Sequence, residues 1–402
     1  WYIMSLSLSK KAMNLKPSAT LAVGALAKEM KREGKTVISF SMGEPDFTSP
    51  KAVLDAGHDA ITKGYTHYTA SNGIAELREA ICAYYKKHFG LDYAPNDVLV
   101  GAGAKPVLYC ALAAILDEGD EVIVPAPAWV SYVEQIRLCG GKEVLVECGD
   151  TGNVPTLERM KAAITPKTKC IMLNSPNNPT GAVYNEATMK GIAQLALDHD
   201  LIIINDEIYE RLVYGDAKFS EIVALCPAVK DRTIIVNGVS KAFAMTGWRI
   251  GYALGPAKYL KAMGSIQGHL TSNACSIAQY AALGGLRDAD DVDVETMRKA
   301  FGARRELVFS LLDAIPRISY VKPDGAFYVL IDLKELLGKK HGDTLLADDA
   351  ALCSDLLKSK YVAVTPGSAF FADGTMRIAY ANSEDDIREG LRRFAEYVSE
   401  IK

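Results

Sequence analysis

Residues 233–255 read TIIVNGVSKAFAMTGWRIGYALG. An apolar run, TIIVN, stops at a glycine, and a second, RIGYALG, follows a stretch of small and mixed residues. Short β-branched runs without polar alternation belong to strands covered on both faces, the mark of a parallel sheet with helices on each side. The same pattern recurs upstream. DVLVGAG precedes a helical KPVLYCALAAIL, EVIVPAPAW precedes VSYVEQIRL, and KEVLVE precedes LERMKAAI. KCIMLNSP, the helix EATMKGIAQLALDHD and the strand LIIIND complete a βα series between about residues 97 and 255. The predicted class is α/β, with a buried, mostly parallel sheet.

After about residue 290 the pattern changes. DVETMRKAFGARRELVFSLLDAI is one long helical stretch, followed by FYVLIDL, a helix near 348–359, YVAVTPG, MRIAYA and a terminal helix from 384. That order describes a smaller α+β unit. The first 45 residues (an arm, the helix TLAVGALAKEMKREG and the strand VISFSMG) stand outside the βα series and are expected to pack with the second unit. The expected division is 1–45 as an arm and part of the small domain, 46–290 as the large domain and 291–402 as the small C-terminal domain. A site is expected between them, at the carboxyl ends of the parallel strands.

The 402 residues suit two or three domains at roughly 150 residues each. With 49% hydrophobic and 23% charged residues the chain can bury a large core. A net charge of -4 gives no basic field for nucleic acid. LYCALAAIL (108–116) and the other apolar runs fall well short of the roughly 20 residues needed to span a bilayer, so no membrane partner is expected. The N-terminus has no apolar segment ahead of a small-residue cleavage site. Met4 is the expected natural first residue, with Trp1 to Ile3 an addition before it. The eight cysteines form no C-x-x-C pair and no zinc-like spacing with histidine, so free thiols in a reducing cytoplasm are expected, and no metal site.

Four segments carry chemistry. Lys241 follows a buried strand, where partial desolvation lowers an amine's pKa and makes it nucleophilic toward an aldehyde. Gly238, Ser240 and Ala242 leave room for a planar ligand, and Arg249 offers a forked contact to a phosphate. In LIIINDEIYE, Asp206 ends a strand and could keep a pyridine nitrogen protonated, with Tyr209 reaching an oxygen of the same ring; alternatively Asp206 caps a following helix. SPNNPTG (175–181) is a rigid loop in which the Asn178 amide could meet a ligand oxygen, or only a turn. GAGAKP (101–106) puts the amides of Gly103, Ala104 and Lys105 at a helix start, suited to a phosphate, although Pro106 breaks the dinucleotide glycine pattern. Trp129 ends the next strand, where an indole could stack on a flat ring or pack into the core.

Together these segments resemble the class I pyridoxal-phosphate-dependent aminotransferases, over nearly the whole chain from KPSAT (16–20) and GEPDF (43–47) to MRIAYANSEDD (376–386). The S-K-x-x-x-x-x-G-W-R-I-G run and SPNNPTG in register with DEIYE are its specific parts. KPSAT, Lys105 and AWVSY resemble the bacterial-type subgroup of aspartate and aspartate/prephenate aminotransferases. The resemblance implies fold type I, with a seven-stranded, mostly parallel sheet in the large domain. It implies that Lys241 forms the Schiff base with pyridoxal 5'-phosphate, that Asp206 pairs with the pyridine nitrogen, and that Tyr209 and Asn178 meet the 3'-oxygen. Trp129 would stack on the ring. Gly103, Ala104, Lys105, Ser240 and Arg249 would hold the phosphate, joined by Tyr68 from the partner of a homodimer. Arg377 would clamp the substrate α-carboxylate beside Gly43 and Asn178.

Many relatives carry serine where this chain has Gly238, so one hydroxyl contact to the phosphate is expected to be missing or replaced by a backbone amide or water, at a cost of about 1 kcal/mol or somewhat more to a charged acceptor. The implied reaction is a ping-pong transfer of an amino group from an L-amino acid to 2-oxoglutarate. Aspartate is the first choice of donor, with Lys105 and Thr20 receiving its distal carboxylate; Lys105 could instead serve only through its backbone. Aromatic, prephenate or alanine-type donors stay open, as does a carbon–sulfur lyase on the same fold. A nicotinamide dehydrogenase lacks its third glycine, and a DNA-binding regulator lacks a DNA-binding module.

Overall fold

The computed structural model describes residues 8–15, 19–288 and 291–402. Trp1 to Met4 and the KPS of KPSAT therefore lie outside the described residues. The N-terminal segment contributes β1 (Ile38–Ser39). The βα series then forms β2 (Val98–Gly101), β3 (Glu121–Ala126), β4 (Lys142–Glu147), β5 (Thr168–Asn174), β6 (Ile202–Asp206), β7 (Thr233–Gly238) and β8 (Gly251–Leu254). These seven pair in the order β2-β8-β7-β6-β5-β3-β4. β3 to β7 run parallel, and β8 alone opposes its neighbours β2 and β7.

Side-chain alternation divides this sheet between two cores. Val98, Val100, Ile123, Ile171, Leu173, Ile203 and Ile235 enter one face, against the helices Ala75–Phe89, Glu186–Asp198 and Ser276–Asp288. Leu99, Val122, Val124, Met172, Ile204, Ile234 and Val236 enter the other, against Ala104–Ile115, Val130–Leu138 and Ala257–Leu270. Both residue sets are apolar because both faces are covered, which is why the strands read as continuous hydrophobic runs.

Beyond the long helix Asp291–Leu312 come β9 (Ser319–Tyr320), β10 (Tyr328–Asp332), the small ladder of β11 (Lys340–His341) with β12 (Thr344–Leu345), then β13 (Val362–Ala363), β14 (Thr365–Pro366) and β15 (Thr375–Ala379). β14-β15-β10-β9 form an antiparallel sheet around a third core that includes Phe301, Phe327, Ile378 and Phe394. The N-terminal segment joins this sheet's surroundings: β1 runs parallel to β13, and the Ala379 amide donates to the Phe40 carbonyl at 2.8 Å. The strand read in VISFSMG is thus only two residues of regular ladder. Past Phe40 the chain leaves to enter the cleft, which a regular strand could not do.

The helices Lys51–Thr62 and Ser276–Asp288 approach closely because small residues face each other. A Cβ at Gly284 would lie 2.6 Å from Ala56 Cβ and 2.7 Å from the Ala52 carbonyl, and one at Gly57 would meet the Trp248 ring at 2.8 Å. Gly284→Val should therefore destabilise the fold by about 1–3 kcal/mol through overpacking. Urea unfolding would register this as a lower midpoint at unchanged slope.

Candidate active site

Three neighbouring strands deliver the core of the site. Register places Asn174, the last residue of β5, beside Asp206, the last of β6, and Asp206 beside Val236 of β7. β7 ends at Gly238, and the chain turns so that Lys241 faces the same cavity of about 280 Å³. Thr20 and Gly43 from the N-terminal segment and Tyr328 and Arg377 from β10 and β15 close the cavity from the other side.

The Lys241 ammonium donates to the Gly43 carbonyl at 2.6 Å, and its pKa is lowered to about 8, chiefly by burial. Arg249 and Arg377 push it the same way, while Glu44 and Asp206 oppose them. Burial raises Asp206 to about 6, against the opposing pull of two hydrogen bonds and Lys241. The Tyr132 hydroxyl donates to Asp206 Oδ2 at 2.6 Å and the Ile208 amide to Oδ1 at 3.1 Å. Residues 208–211 form a turn, not a helix, so the helix-capping alternative does not hold although one carboxylate oxygen does steady that turn.

Across the cavity the Arg377 side chain is 2% exposed. Its Nη1 donates to Asn178 Oδ1 at 2.9 Å and its Nη2 to the Ser41 carbonyl at 2.6 Å, while its buried Nε has no partner among the described residues. Among the described residues no carboxylate pairs with it. The guanidinium lies 4.6 Å from the Tyr328 ring centre and 4.7 Å from that of Phe370. The hydroxyls of Tyr209 and Tyr328 are 2.7 Å apart.

The turn between β2 and the helix Ala104–Ile115 lies at the cavity's other end. Gly103 has φ +101°, and a Cβ there would sit 2.4 Å from Arg249 Nη2, so glycine lets the guanidinium approach the helix start. Arg249 itself holds φ 59° and donates from Nη1 to the Thr246 carbonyl at 3.0 Å. Ala104, Lys105 and Ser240 line the cavity beside it. Lys105 Nζ stands 4.7 Å over the Trp129 ring, and desolvation, then Arg249, hold its pKa below the ordinary lysine value. At Gly238 a Cβ would meet the Ile250 carbonyl at 2.9 Å and Gly251 Cα at 3.1 Å, so the backbone of β8 has closed on this glycine.

Of the residues singled out from sequence, Gly103, Tyr68, Gly238 and Ala242 do not line the cavity. Gly103 is directly behind Arg249, whereas Tyr68 is 89% exposed and lies in a separate surface depression with Asn273 and Ser276. Tyr132, Asn174 and Tyr328 line the cavity and were not anticipated. Tyr132 lies three residues after Trp129, one helical turn along, and Asn174 directly precedes SPNNPTG; either spacing could have drawn attention to them. Tyr328 sits inside FYVLIDL and reads there as a core strand residue.

The profile of the family described as aminotransferase class I and II matches residues 35–394. The chain is 46% identical to the aspartate aminotransferase of Bacillus sp. strain YM-2 over 97% of its length and 99% of that protein. It is 45% identical to the aspartate/prephenate aminotransferase of Cereibacter sphaeroides, over 96% of this chain and 97% of the relative. Among solved structures, aspartate aminotransferase from Thermus thermophilus with maleate superposes with a TM-score of 0.92 at 42% identity, covering 97% and 99% of the two chains. The aspartate aminotransferase from Rhizobium meliloti gives 0.94 at 41%, covering 98% and 100%. Matches of this extent, on a fold whose parallel strands bring a buried lysine and aspartate to one cavity, make the chain a member of the class I aminotransferases, enzymes that depend on pyridoxal phosphate.

Proposed function

We propose that this aminotransferase takes its amino group from aspartate and passes it to 2-oxoglutarate in a ping-pong cycle. What supports the reading most is the charge of the cavity. Lys105, Lys241, Arg249 and Arg377 line it with Asp206 as the one carboxylate among the described lining residues. That surplus suits a phosphate together with a dicarboxylate. The relatives named for aspartate supply the same substrate by analogy.

The residues present fit the cofactor. Asp206 keeps lone pairs for a ring nitrogen's proton, Gly103 leaves the helix start open to Arg249, and the partly desolvated Lys241 is suited to an aldehyde. When bound, pyridoxal phosphate supplies an aldehyde that takes up the amino group and a conjugated ring that accepts the electron pair released at the substrate Cα. Lys241 would hold the cofactor and, once displaced, move the Cα proton through Nζ. Asp206 would hold the proton on the ring nitrogen, and Tyr209 and Asn178 would meet the ring's 3'-oxygen. Trp129 would cover one ring face. The amides at 103–105, Ser240 and Arg249 would bind the phosphate. Arg377, with Gly43 and Asn178, would orient the α-carboxylate, and Lys105 with Thr20 would take the distal one.

The same reading has an arm and part of the small domain in 1–45, the large domain in 46–290 and the small domain in 291–402. It has a homodimer in which the exposed Tyr68 serves the partner's phosphate site. A cytoplasmic setting agrees with eight free thiols. No helix among the described residues is long and apolar enough to cross a membrane.

The visible absorbance of the bound cofactor should fall on adding aspartate and return with 2-oxoglutarate; a spectrum indifferent to aspartate but responsive to phenylalanine would move the assignment to aromatic donors. Lys105→Ala should raise KM for aspartate by about tenfold or more, the size of a lost charge-assisted contact, while leaving KM for phenylalanine within about twofold. Equal changes would remove Lys105 from the specificity role. Binding of the cofactor aldehyde needs the neutral amine. The rate of cofactor uptake by the free protein should therefore rise with pH and level off above about 8, matching the lowered pKa of Lys241. A rate still climbing at pH 10 would mean an unperturbed lysine.

A further inference from the structure

Tyr328 touches both ends of the site. Its hydroxyl is 2.7 Å from that of Tyr209, and its ring lies 4.6 Å from the Arg377 guanidinium. From Arg377 the chain of contacts continues through Nη1 to Asn178. Tyr209 and Asn178 are the two groups proposed for the cofactor's ring oxygen, and Arg377 is the proposed carboxylate anchor. The position of Tyr328 is tightly defined. It is 1% exposed, and an added Cβ at Gly43 would stand 2.1 Å from its hydroxyl oxygen, so a glycine there is what admits the phenol. β10 fixes the ring from below, with Tyr328 opposite Ala379 of β15 and Leu330 opposite Arg377.

A phenol has one proton to give and can accept others. Tyr209 can aim its proton at a ligand oxygen only if it is not donating to Tyr328. We propose that Tyr328 is a positioning residue that donates its hydroxyl proton to Tyr209, thereby directing the Tyr209 proton toward the cofactor's ring oxygen, while its ring holds the guanidinium of Arg377 for the substrate. This rests on the assignment of Tyr209 and Arg377 made above. Its hydroxyl and its ring have separable effects. An oxygen that accepts a hydrogen bond becomes a better donor through its own O–H, so loss of the Tyr328 hydroxyl weakens the Tyr209 contact and disfavours the anionic form of the ring oxygen. The ring's contribution to Arg377 is a cation–π and packing contact that phenylalanine would retain.

The test is an absorbance titration of the cofactor-loaded protein against pH, with steady-state kinetics alongside. In Tyr328→Phe the midpoint of the cofactor's spectral change should move to higher pH by about half a unit or more, with KM for aspartate within about twofold of the parent. In Tyr328→Leu the midpoint should move equally and KM should rise by about tenfold as Arg377 loses its ring. Thermal melting of each variant would confirm that it is folded. A Tyr328→Phe midpoint equal to the parent's would overturn the proton-directing role. A Tyr328→Leu protein with parental KM would overturn the role toward Arg377. Tyr209→Phe separates the proposal from the reading beneath it: if that variant leaves the midpoint unchanged, the assignment of Tyr209 itself fails.

Discussion

Register between three parallel strands is the constraint on which the site depends. Asn174, Asp206 and Val236 are register partners on adjacent hydrogen-bonded strands, so the ends of β5, β6 and β7 cannot move independently. A slip of one residue in β6 would turn Asp206 from the cleft into a core face and bring Asn205 or Glu207 to its place. The two hydrophobic cores that grip the sheet therefore set the site's geometry. Several hundred square ångströms of apolar burial oppose any shift that would relocate a single carboxylate.

That rigidity matters because the site is electrostatically incomplete on its own. Arg377 is buried with no carboxylate partner among the described residues, Asp206 is buried without a full countercharge, and Lys241 is partly desolvated. Each arrangement disfavours the free protein, since buried charge is costly unless paired. Hydrogen bonds from Tyr132 and Ile208, and from Arg377 to Asn178 and the Ser41 carbonyl, offset part of that cost. An anionic ligand group would offset the charge of Arg377 and a cationic one that of Asp206, so ligand binding and fold stability would be linked.

The parts of the site legible in the sequence are those at which local structure changes: Lys241 after a strand, Asp206 at a strand end, Asn178 in a dense turn, Gly103 before a helix. Breaks in hydrophobic periodicity mark positions where the chain meets the cleft. Tyr132 and Tyr328 obey their local pattern, one on a helix and one on a strand, and only tertiary packing turns them inward. Asn174 ends its strand in the same way as Asp206 but is uncharged, which gives it less to announce. Gly238 is a different case. The missing hydroxyl could be read from sequence, whereas the closure of β8 against that glycine depends on the pairing of Gly238 with Gly251. The antiparallel course of β8 was also hidden, because a buried strand has the same composition in either direction.

The segment 41–43 serves two masters. Its Ser41 carbonyl accepts from Arg377 and its Gly43 carbonyl from Lys241, while the preceding β1 is stitched to β13. Through that contact the lysine is a tether between the βα sheet and the segment that leads into the other unit. It is not the sole one among the described residues: Thr246 donates to Glu44, and Ser49 to the Ala244 carbonyl. A Lys241 amine engaged elsewhere would therefore leave the entrance segment moored to the chain that follows β7.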